Sequence, residues 1–253
     1  MSVTRHHIAD GIRAMGVGAG DLLVVHSSLS SFGHVEGGAN AAAKALVDAV
    51  SPGGTVFVPT FNYGELPYDP TTTRSLTGAI TEAFRHLPGV IRSGHPTHSW
   101  AGIGPHAADI LRRHKDAHAF ARGSPLWRLW EHNAWVLLIG CGHESNSTIH
   151  VAEELLHLPF LKRTRPASII RDGGVIGVTV RRPGCSDSFN RIDPPLRARG
   201  VVIDGCIGEA RLMLMRSRDL VEAACELMRA DPGALLCQPG RCVTCDEARA
   251  MLT

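Results

Sequence analysis

Two short apolar runs, separated by one segment of helical length, most narrowly restrict what this chain can fold into. Residues 22–26 (LLVVH) and 55–59 (TVFVP) contain no acidic residue, lysine or arginine, which is typical of strands buried on both faces. Between them, residues 39–50 place alanine, leucine and valine on one helical face, and Pro52-Gly53-Gly54 ends that helix. A strand, a helix and a strand in this order predict a βαβ unit with parallel strands.

The rest of the chain continues this alternation. Residues 134–139 predict a third buried strand, and residues 168–180 predict a hairpin that turns at Gly173-Gly174. Further helices are predicted at residues 78–86, 104–114, 127–132, 147–156 and 216–230, and polar loops at residues 27–38, 60–77, 92–99 and 140–146. The sequence shows no internal repeat or linker. We therefore expect one α/β domain over residues 1–253, with a Cys-rich C-terminal tail at about residues 237–253.

Composition excludes several classes of protein. With 44% hydrophobic and 20% charged residues, the 253-residue chain has the composition of a globular protein, not of a disordered or fibrous one. A net charge of +2 gives no sign of a nucleic-acid or anionic-membrane partner. No apolar run approaches the roughly 20 residues of a membrane helix, and residues 1–10 lack the apolar segment of a secretory signal. We expect a cytoplasmic protein whose seven cysteines are reduced.

A histidine and a glutamate lie three residues apart at the start of one predicted helix. His150 and Glu153 share a helical face, and Ser147 stands where the N-cap is expected. This helix follows a buried strand, and open α/β sheets bind ligands at the carboxyl ends of their strands. An acid beside an imidazole fixes the tautomer that a general base needs. An ordinary amphipathic helix with a His–Glu pair at its surface has the same pattern and remains the alternative.

A loop of small residues follows the first strand. Its candidate binding residues are His26, Ser27, Ser28, Leu29, Ser30, Ser31 and Gly33. Small side chains let a ligand approach the backbone, and free N–H groups at the start of the next helix favour phosphates. The segment has neither the GxGxxG nor the GxxxxGK[ST] pattern, and the chain has no GxSxG nucleophile motif. A flexible serine-rich connector is the alternative.

Two further segments concentrate polar or metal-binding groups. Residues 92–99 (RSGHPTHS) include an HxxH spacing that can bind a metal, although no acidic or thiol group lies near it in sequence. Cys237, Cys242 and Cys245 resemble half a zinc knuckle. A fourth ligand has to come from elsewhere, and Cys225 lies on the preceding predicted helix. Free thiols are the alternative for these cysteines.

Eight motifs, in their order along the chain, resemble those of the aminoglycoside 3-N-acetyltransferase family, also called the antibiotic N-acetyltransferase family. They are residues 20–21 (GD), 26–29 (HSSL), 35–39 (VEGGA), 54–60 (GTVFVPT), 78 with 84–85 (G and FR), 92–99 (RSGHPTHS), 123–126 (GSPL) and 146–153 (NSTIHVAE). The resemblance extends over residues 18–237. It implies a single three-layer α/β/α domain around a central, largely parallel or mixed sheet, and an enzyme that uses acetyl-CoA and requires no metal.

The resemblance also implies roles for the matched positions. His150 corresponds to the active-site histidine, Glu153 to the acid beside it, and Ser147 to a position that is usually threonine. Residues 27–33 and Ser93 would face CoA. Family substrates are polycationic aminoglycosides acetylated on the 3-amino group of 2-deoxystreptamine, so we expect an acidic acceptor pocket. The candidate acids are Glu65, Asp69, Glu153, Glu154, Asp187 and Asp193.

This chain departs from the family in charge. Lys162, Arg163 and Arg165 would oppose those acids if they face the pocket, and this keeps another small amine metabolite open as the acceptor. The partners expected are acetyl-CoA and an amine, with neither nucleic acid nor membrane. Residues 212–215 are apolar and are a candidate interface for a homodimer.

The sequence leaves more than one mechanism open. In the first, His150 acts as a general base and the amine attacks the thioester directly. In a rival mechanism Ser27 or Ser28 is a nucleophile activated by His26 or His150, and Cys141 is a second candidate nucleophile. Outside catalysis, the alternatives are a CoA-binding module and a zinc-stabilised interaction module.

Overall fold

A seven-stranded mixed sheet forms the centre of the computed structural model, which describes residues 2–114 and 118–252. The strands are β1 (Leu22–Ser27), β2 (Thr55–Pro59), β3 (Ile91–Arg92), β4 (Trp100–Ile103), β5 (Trp135–Ile139), β8 (Ile203–Ile207) and β9 (Ala210–Arg216). Their order in the sheet is β3-β4-β2-β1-β5-β9-β8. β1 is parallel to both β2 and β5, and the remaining pairs are antiparallel.

Two hydrophobic cores lie on opposite faces of this sheet, as the alternating side chains of β1 show. Leu23 and Val25 point into one core and Val24 into the other. The first core packs against α1 (Arg5–Ala14), α2 (Gly38–Val50) and α3 (Ala79–Phe84). The second packs against α4 (Ala107–Leu111), α5 (Pro125–Glu131), α6 (His150–Leu155), α7 (Asp193–Ala198), α8 (Ser217–Ala230) and α9 (Val243–Ala250). The α/β/α layering expected from the sequence is confirmed.

A separate hairpin lies outside the large sheet. Its strands, β6 (Thr164–Arg171) and β7 (Gly174–Arg181), pair only with each other as a two-stranded sheet. A single bridge between Tyr68 and Ile169 joins the hairpin to the long loop after β2. Most of its side chains are exposed or half-buried. The predicted hairpin with its turn at Gly173-Gly174 is confirmed.

The parallel strands β1 and β5 lie at the point where the order of strands in the sheet changes sense, and this predicts where a ligand site forms. From β1 the chain crosses through α2 to β2 on one side, whereas β5 lies on the other side of β1. The backbone N–H of Ser28 donates to the carbonyl of Ile139 at 2.9 Å, so the two strands end together. Such a switch point opens a crevice beyond the carboxyl ends of the strands.

Several elements differ from the sequence predictions. The βαβ unit and β5 are confirmed, whereas β3, β4, β8 and β9 are not among the predicted strands. Residues 212–215, predicted as a candidate dimer interface, belong to β9; there Leu212, Leu214 and Met215 are buried between β5 and the helices, so this prediction is wrong. Within the described residues, no helix combines the length and hydrophobicity that a membrane span requires.

Candidate functional site

A large cavity of about 1410 Å³ opens at the switch point between β1 and β5. One side, here called the β1 wall, consists of residues 26–30, 33–35 and 37–38. The opposite side, here called the hairpin wall, consists of Arg165, residues 182–187, Cys242 and Thr244. His98, Phe120, Ser147 and His150 lie between the two walls. The structure therefore brings together the motifs at residues 26–33 and 147–153, which are far apart in sequence.

His150 and Glu153 form the buried polar pair between the two walls. The Nδ1 atom of His150 lies 2.7 Å from Oε2 of Glu153, and the residues are only 5% and 1% exposed. The ring of Phe120 stacks on the imidazole with centroids 4.6 Å apart, and Phe189 contacts it edge-on at 4.9 Å. A carboxylate at Nδ1 favours the tautomer with hydrogen at Nδ1, which leaves Nε2 able to accept a proton.

Gly184 of the hairpin wall lies against the carboxylate of Glu153. A Cβ added at Gly184 would lie 2.7 and 2.9 Å from the two carboxylate oxygens of Glu153. Real Cβ atoms do not approach other atoms so closely, so only glycine fits against this carboxylate without displacing it. Sequence reasoning missed Gly184, because a lone glycine before a cysteine carries no motif.

Ser147 lines the cavity, but it does not cap the helix as predicted. The cap is the side chain of Asn146, which accepts a hydrogen bond from the backbone N–H of Thr148. Ser147 instead begins a 3₁₀ turn, Ser147–Ile149, which leads into α6. Ser147 is therefore placed at the cavity one turn before His150.

The β1 wall carries most of the residues predicted to bind CoA. His26, Ser27, Ser28, Leu29, Ser30 and Gly33 line the cavity. Ser31 is not among the lining residues; its hydroxyl donates to the carbonyl of Ser28 at 2.7 Å. The wall ends at the start of α2, where Gly37 and Gly38 leave the first N–H groups without a side-chain cap among the described residues.

Ser93 lies elsewhere. Its side chain is 2% exposed, its Oγ is 2.9 Å from Nδ1 of His114, and it accepts from the backbone N–H of Trp100 at 2.8 Å. The hydroxyl is thus used to hold the loop between β3 and β4, and the structure does not bring it to the cavity. His95 of the same loop accepts from the N–H groups of Thr97 and His98, and within the described residues the HxxH pair gathers no third metal ligand.

The rival nucleophiles lack an activating partner. Burial lowers the pKa of His26 to about 3, so its imidazole is neutral at pH 7. In the described part of the chain, Nε2 of His26 and Oγ of Ser27 have no hydrogen-bond partner, and Oγ of Ser28 lies 3.1 Å from Oγ of Ser30. Burial raises the pKa of the Cys141 thiol to about 11, which leaves almost no thiolate at neutral pH.

Only one of the acids predicted for the acceptor site, Asp187, lines the large cavity. Asp187 lines the cavity on the hairpin wall, and Glu144 lines it from the loop after β5. Asp69 is outside the cavity and accepts hydrogen bonds from Thr71 and Thr72 within its own turn.

Glu154 lies in a small side pocket, 3.8 Å from Arg181, and burial raises the pKa of its carboxyl group. Glu65 and Asp193 are not lining residues of the cavity.

Two arginines line the same cavity as these carboxylates. Arg165 donates to the carbonyl of Tyr63, and Arg182 donates to Oγ1 of Thr244 at 2.5 Å. Arg163, predicted as a competitor of the acids, turns instead to the carbonyl of Thr244 at 2.9 Å, and Lys162 does not line the cavity. The pocket therefore has a mixed charge, with Arg182 and Glu144 as the groups that sequence reasoning missed.

A cluster of four thiols lies at the outer edge of the hairpin wall. The Sγ atoms of Cys185, Cys237, Cys242 and Cys245 all lie within 4.8 Å of one another. Three are the cysteines that the sequence singled out. The fourth is Cys185, and Cys225 does not belong to the cluster. Among the described residues, this is the only group of side chains able to hold a metal ion.

The chain is similar in sequence and structure to known aminoglycoside acetyltransferases. The family model for aminoglycoside 3-N-acetyltransferases matches residues 24–229. Aminoglycoside N(3)-acetyltransferase IV of Salmonella sp is 33% identical over 229 residues, which cover 89% of this chain and 87% of that protein. A crystal structure of aminoglycoside acetyltransferase AAC(3)-IVa, with one histidine replaced by alanine and a gentamicin bound, has a TM-score of 0.90 and 31% identity over 99% of this chain and 98% of its own. The structure of AAC-IIIb with CoASH has a TM-score of 0.82 and 25% identity over 91% and 97%.

Proposed function

This chain belongs to the aminoglycoside 3-N-acetyltransferase family and is an acyltransferase, and from that premise we propose that it transfers the acetyl group of acetyl-CoA to the 3-amino group of a 2-deoxystreptamine aminoglycoside. The observation that carries the proposal is the buried His150–Glu153 pair between the two walls of the cavity. A relative with a gentamicin bound and another with CoASH bound support both substrates.

The cavity has room for both substrates at once. Pockets for a single ligand usually measure about 300–1000 Å³, and this one measures about 1410 Å³. CoA would lie along the β1 wall, where small side chains and the start of α2, which has no side-chain cap among the described residues, suit a pyrophosphate. The amine would lie against the hairpin wall, where Asp187 and Glu144 offer carboxylates to ammonium groups.

The proposed reaction is a direct transfer. An amine is mostly protonated at neutral pH, so the ammonium first releases one proton to solvent and exposes its lone pair. As the nitrogen attacks, His150 takes a second proton from it through Nε2 while Glu153 holds Nδ1. The C–N bond forms at the thioester carbonyl, and the C–S bond then breaks. The proton held on Nε2 passes to the departing sulfur, which leaves as CoA thiol. General-base catalysis of this kind contributes about 10²–10⁴-fold.

Ser147 is the candidate donor to the carbonyl oxygen during this step. It lines the cavity one turn before His150, and Asn146 has already taken over the cap. Loss of one such donor costs about 10²–10³ in rate in other enzymes. Ser147→Thr, which keeps the hydroxyl, should therefore retain more of kcat than Ser147→Ala.

The test is thiol release from acetyl-CoA with a panel of amines, including 2-deoxystreptamine aminoglycosides and small monoamines. We expect turnover with the aminoglycosides, a product acetylated at the 3-amino group by NMR, and intersecting initial-velocity lines that indicate a ternary complex. Rates no greater than those without acceptor would refute the proposal. Parallel lines with a trapped acetyl-enzyme would favour the serine nucleophile instead.

A further inference from the structure

Four cysteine sulfurs meet where the hairpin wall joins the C-terminal helix α9. Cys185 follows β7, Cys237 follows α8, and Cys242 and Cys245 stand at the start of α9. Cys237 and Cys245 are fully buried, while Cys185 and Cys242 are half-buried at the cavity. Three separate segments of chain thus converge on one point.

The spacing of the sulfurs matches a tetrahedral site. Zinc–sulfur bonds of about 2.3 Å in a tetrahedron place the sulfurs about 3.8 Å apart. The Sγ atoms of Cys185 and Cys237 are 3.8 Å apart, and no pair in the cluster exceeds 4.8 Å. The spacing of Cys242 and Cys245 is the CxxC of a zinc knuckle.

Positively charged side chains surround the cluster. Guanidinium groups lie close by: Arg163 and Arg182 both bind Thr244, and Arg249 donates to the carbonyl of Cys237 at 2.7 Å. A tetrathiolate zinc site carries two negative charges, which these cations offset.

We propose that Cys185, Cys237, Cys242 and Cys245 bind one zinc ion in a closed structural site. Four protein ligands leave no position for substrate, so the ion takes no part in acetyl transfer. Its effect is mechanical: it ties the segment after β7 to α9. Gly184, next to the ligand Cys185, is the residue against which Glu153 rests. The zinc site thereby positions the wall behind the catalytic pair.

The test is the zinc content of the full-length protein, purified without chelator and measured by mass spectrometry. We expect about one zinc per chain in the wild type and in Cys206→Ser, whose exposed thiol lies outside the cluster. Cys237→Ser and Cys245→Ser should lose the ion. Wild-type protein that holds no zinc even after incubation with zinc sulfate would overturn the proposal, as would non-reducing mass spectra that show these four cysteines in disulfides.

A second measurement guards against variants that fail to fold. Cobalt added to the metal-free wild type should give the visible absorption of tetrahedral cobalt thiolate, and Cys242→Ser, at the half-buried ligand, should weaken it. Cys242→His keeps a ligand and should keep the ion. Because zinc content does not depend on turnover, this test can fail while the proposed acetyl transfer stands, and the reverse also holds.

Discussion

The β1 wall and the hairpin wall enclose the same cavity but are built in opposite ways. The β1 wall comes from a single segment at the end of a central strand, and none of its lining residues is an acid, a lysine or an arginine. The hairpin wall takes residues from three separate segments, carries Arg165, Arg182 and Asp187, and lies beside the cysteine cluster. The first is held by the sheet, whereas the second is held by side-chain contacts far apart in sequence.

This difference divides the work of the site. The β1 wall, a single segment with several small side chains, suits the acyl donor, which is the same molecule in every turnover. Under the proposed function, Arg165 on the hairpin and Arg182 and Asp187 in the segment that follows it face the acceptor, whose amino groups have to be recognised individually. His150 also lines the cavity, and in the proposed reaction it serves both substrates. Each of the following predictions acts on one wall, or on the residue between them.

The largest effect is expected where the walls meet. His150→Ala should lower kcat by about 10²–10⁴-fold, because it removes the proton acceptor. Binding of acetyl-CoA should persist if the donor lies along the β1 wall as proposed. Steady-state kinetics and calorimetric titration of acetyl-CoA measure the two effects. The exposed residue His132, changed to alanine, is the control. Loss of acetyl-CoA binding together with activity would show that His150 holds the β1 wall in place.

Acid should act through two buried imidazole groups, His26 on the β1 wall and His95 in the loop between β3 and β4. Burial lowers the pKa of both His26 and His95 to about 3. The unfolded chain binds protons at these groups below about pH 6.5, so their contribution is full above that pH and is lost as pH falls toward 3. Between pH 7.5 and 5.5 we expect a loss of about 3 kcal/mol for the two groups together.

Urea titrations at the two pH values measure this loss. His26→Gln should remove about 1.4 kcal/mol of the loss, and His132→Gln should leave it unchanged, since that side chain is exposed. An identical dependence in His26→Gln would show that His26 does not contribute.

On the hairpin wall, Gly184→Ala should disturb catalysis without removing any chemical group. The added Cβ would lie 2.7 Å from a carboxylate oxygen of Glu153 and would displace it from His150. We expect a roughly tenfold fall in kcat, below the 10²-fold cost of a full 1 Å misplacement. Gly177→Ala, on β7 with no atom within 4 Å of its added Cβ, is the matched control. If kcat falls but its dependence on pH stays as in the wild type, Gly184 acts on something other than the His150–Glu153 pair.

The smallest effect is expected for the acceptor's charge contacts. Asp187→Asn should raise KM for an aminoglycoside about fivefold at 0.1 M salt, the value of an exposed charge pair of about 1 kcal/mol. In the wild type KM should rise with salt, because the Debye length shrinks from about 10 Å at 0.1 M to about 3 Å at 1 M. Asp69→Asn should leave KM unchanged, since Asp69 lies outside the cavity.

With two arginines at the cavity, we expect aminoglycosides to bind less tightly than in a site lined by acids alone. A KM that is low and indifferent to salt would show that Arg165 and Arg182 turn away from the acceptor in solution.

The central strands were predictable because their physics is local. β1, β2 and β5 are buried on both faces and therefore have unbroken apolar sequences. β3 has two residues and β4 four, too few for a periodic pattern. β8 lies at the edge of the sheet and contains Asp204 and Gly205, so it lacks a strand signal. The apolar centre of β9 resembles that of β5, and its sequence alone does not distinguish a sheet neighbour from a subunit interface.

In the site, too, local contacts were predictable from the sequence and distant contacts were not. His150 and Glu153 are three residues apart on one helix, so their contact follows from helical geometry. Cys185 lies 52 residues before Cys237, and no spacing rule connects them. The polar residues around Ser93 in the sequence fit either a ligand-binding loop or a buried hydrogen-bond network. Its contact with His114 shows that it belongs to a buried network. Tertiary proximity, which sequence spacing does not encode, decided each case that was missed.

The separation of the β6–β7 hairpin from the large sheet has a consequence for how this protein can change over generations. The hairpin pairs only with itself, is mostly exposed, and bears Arg165 on one strand. Substitutions there remove little buried surface, so they cost little stability. A mutational library confined to residues 164–181 can therefore vary Arg165, the hairpin residue that lines the cavity, while the core and the β1 wall stay intact. Selection for a different amine, in nature or in the laboratory, can therefore act on this hairpin with little loss of folding stability.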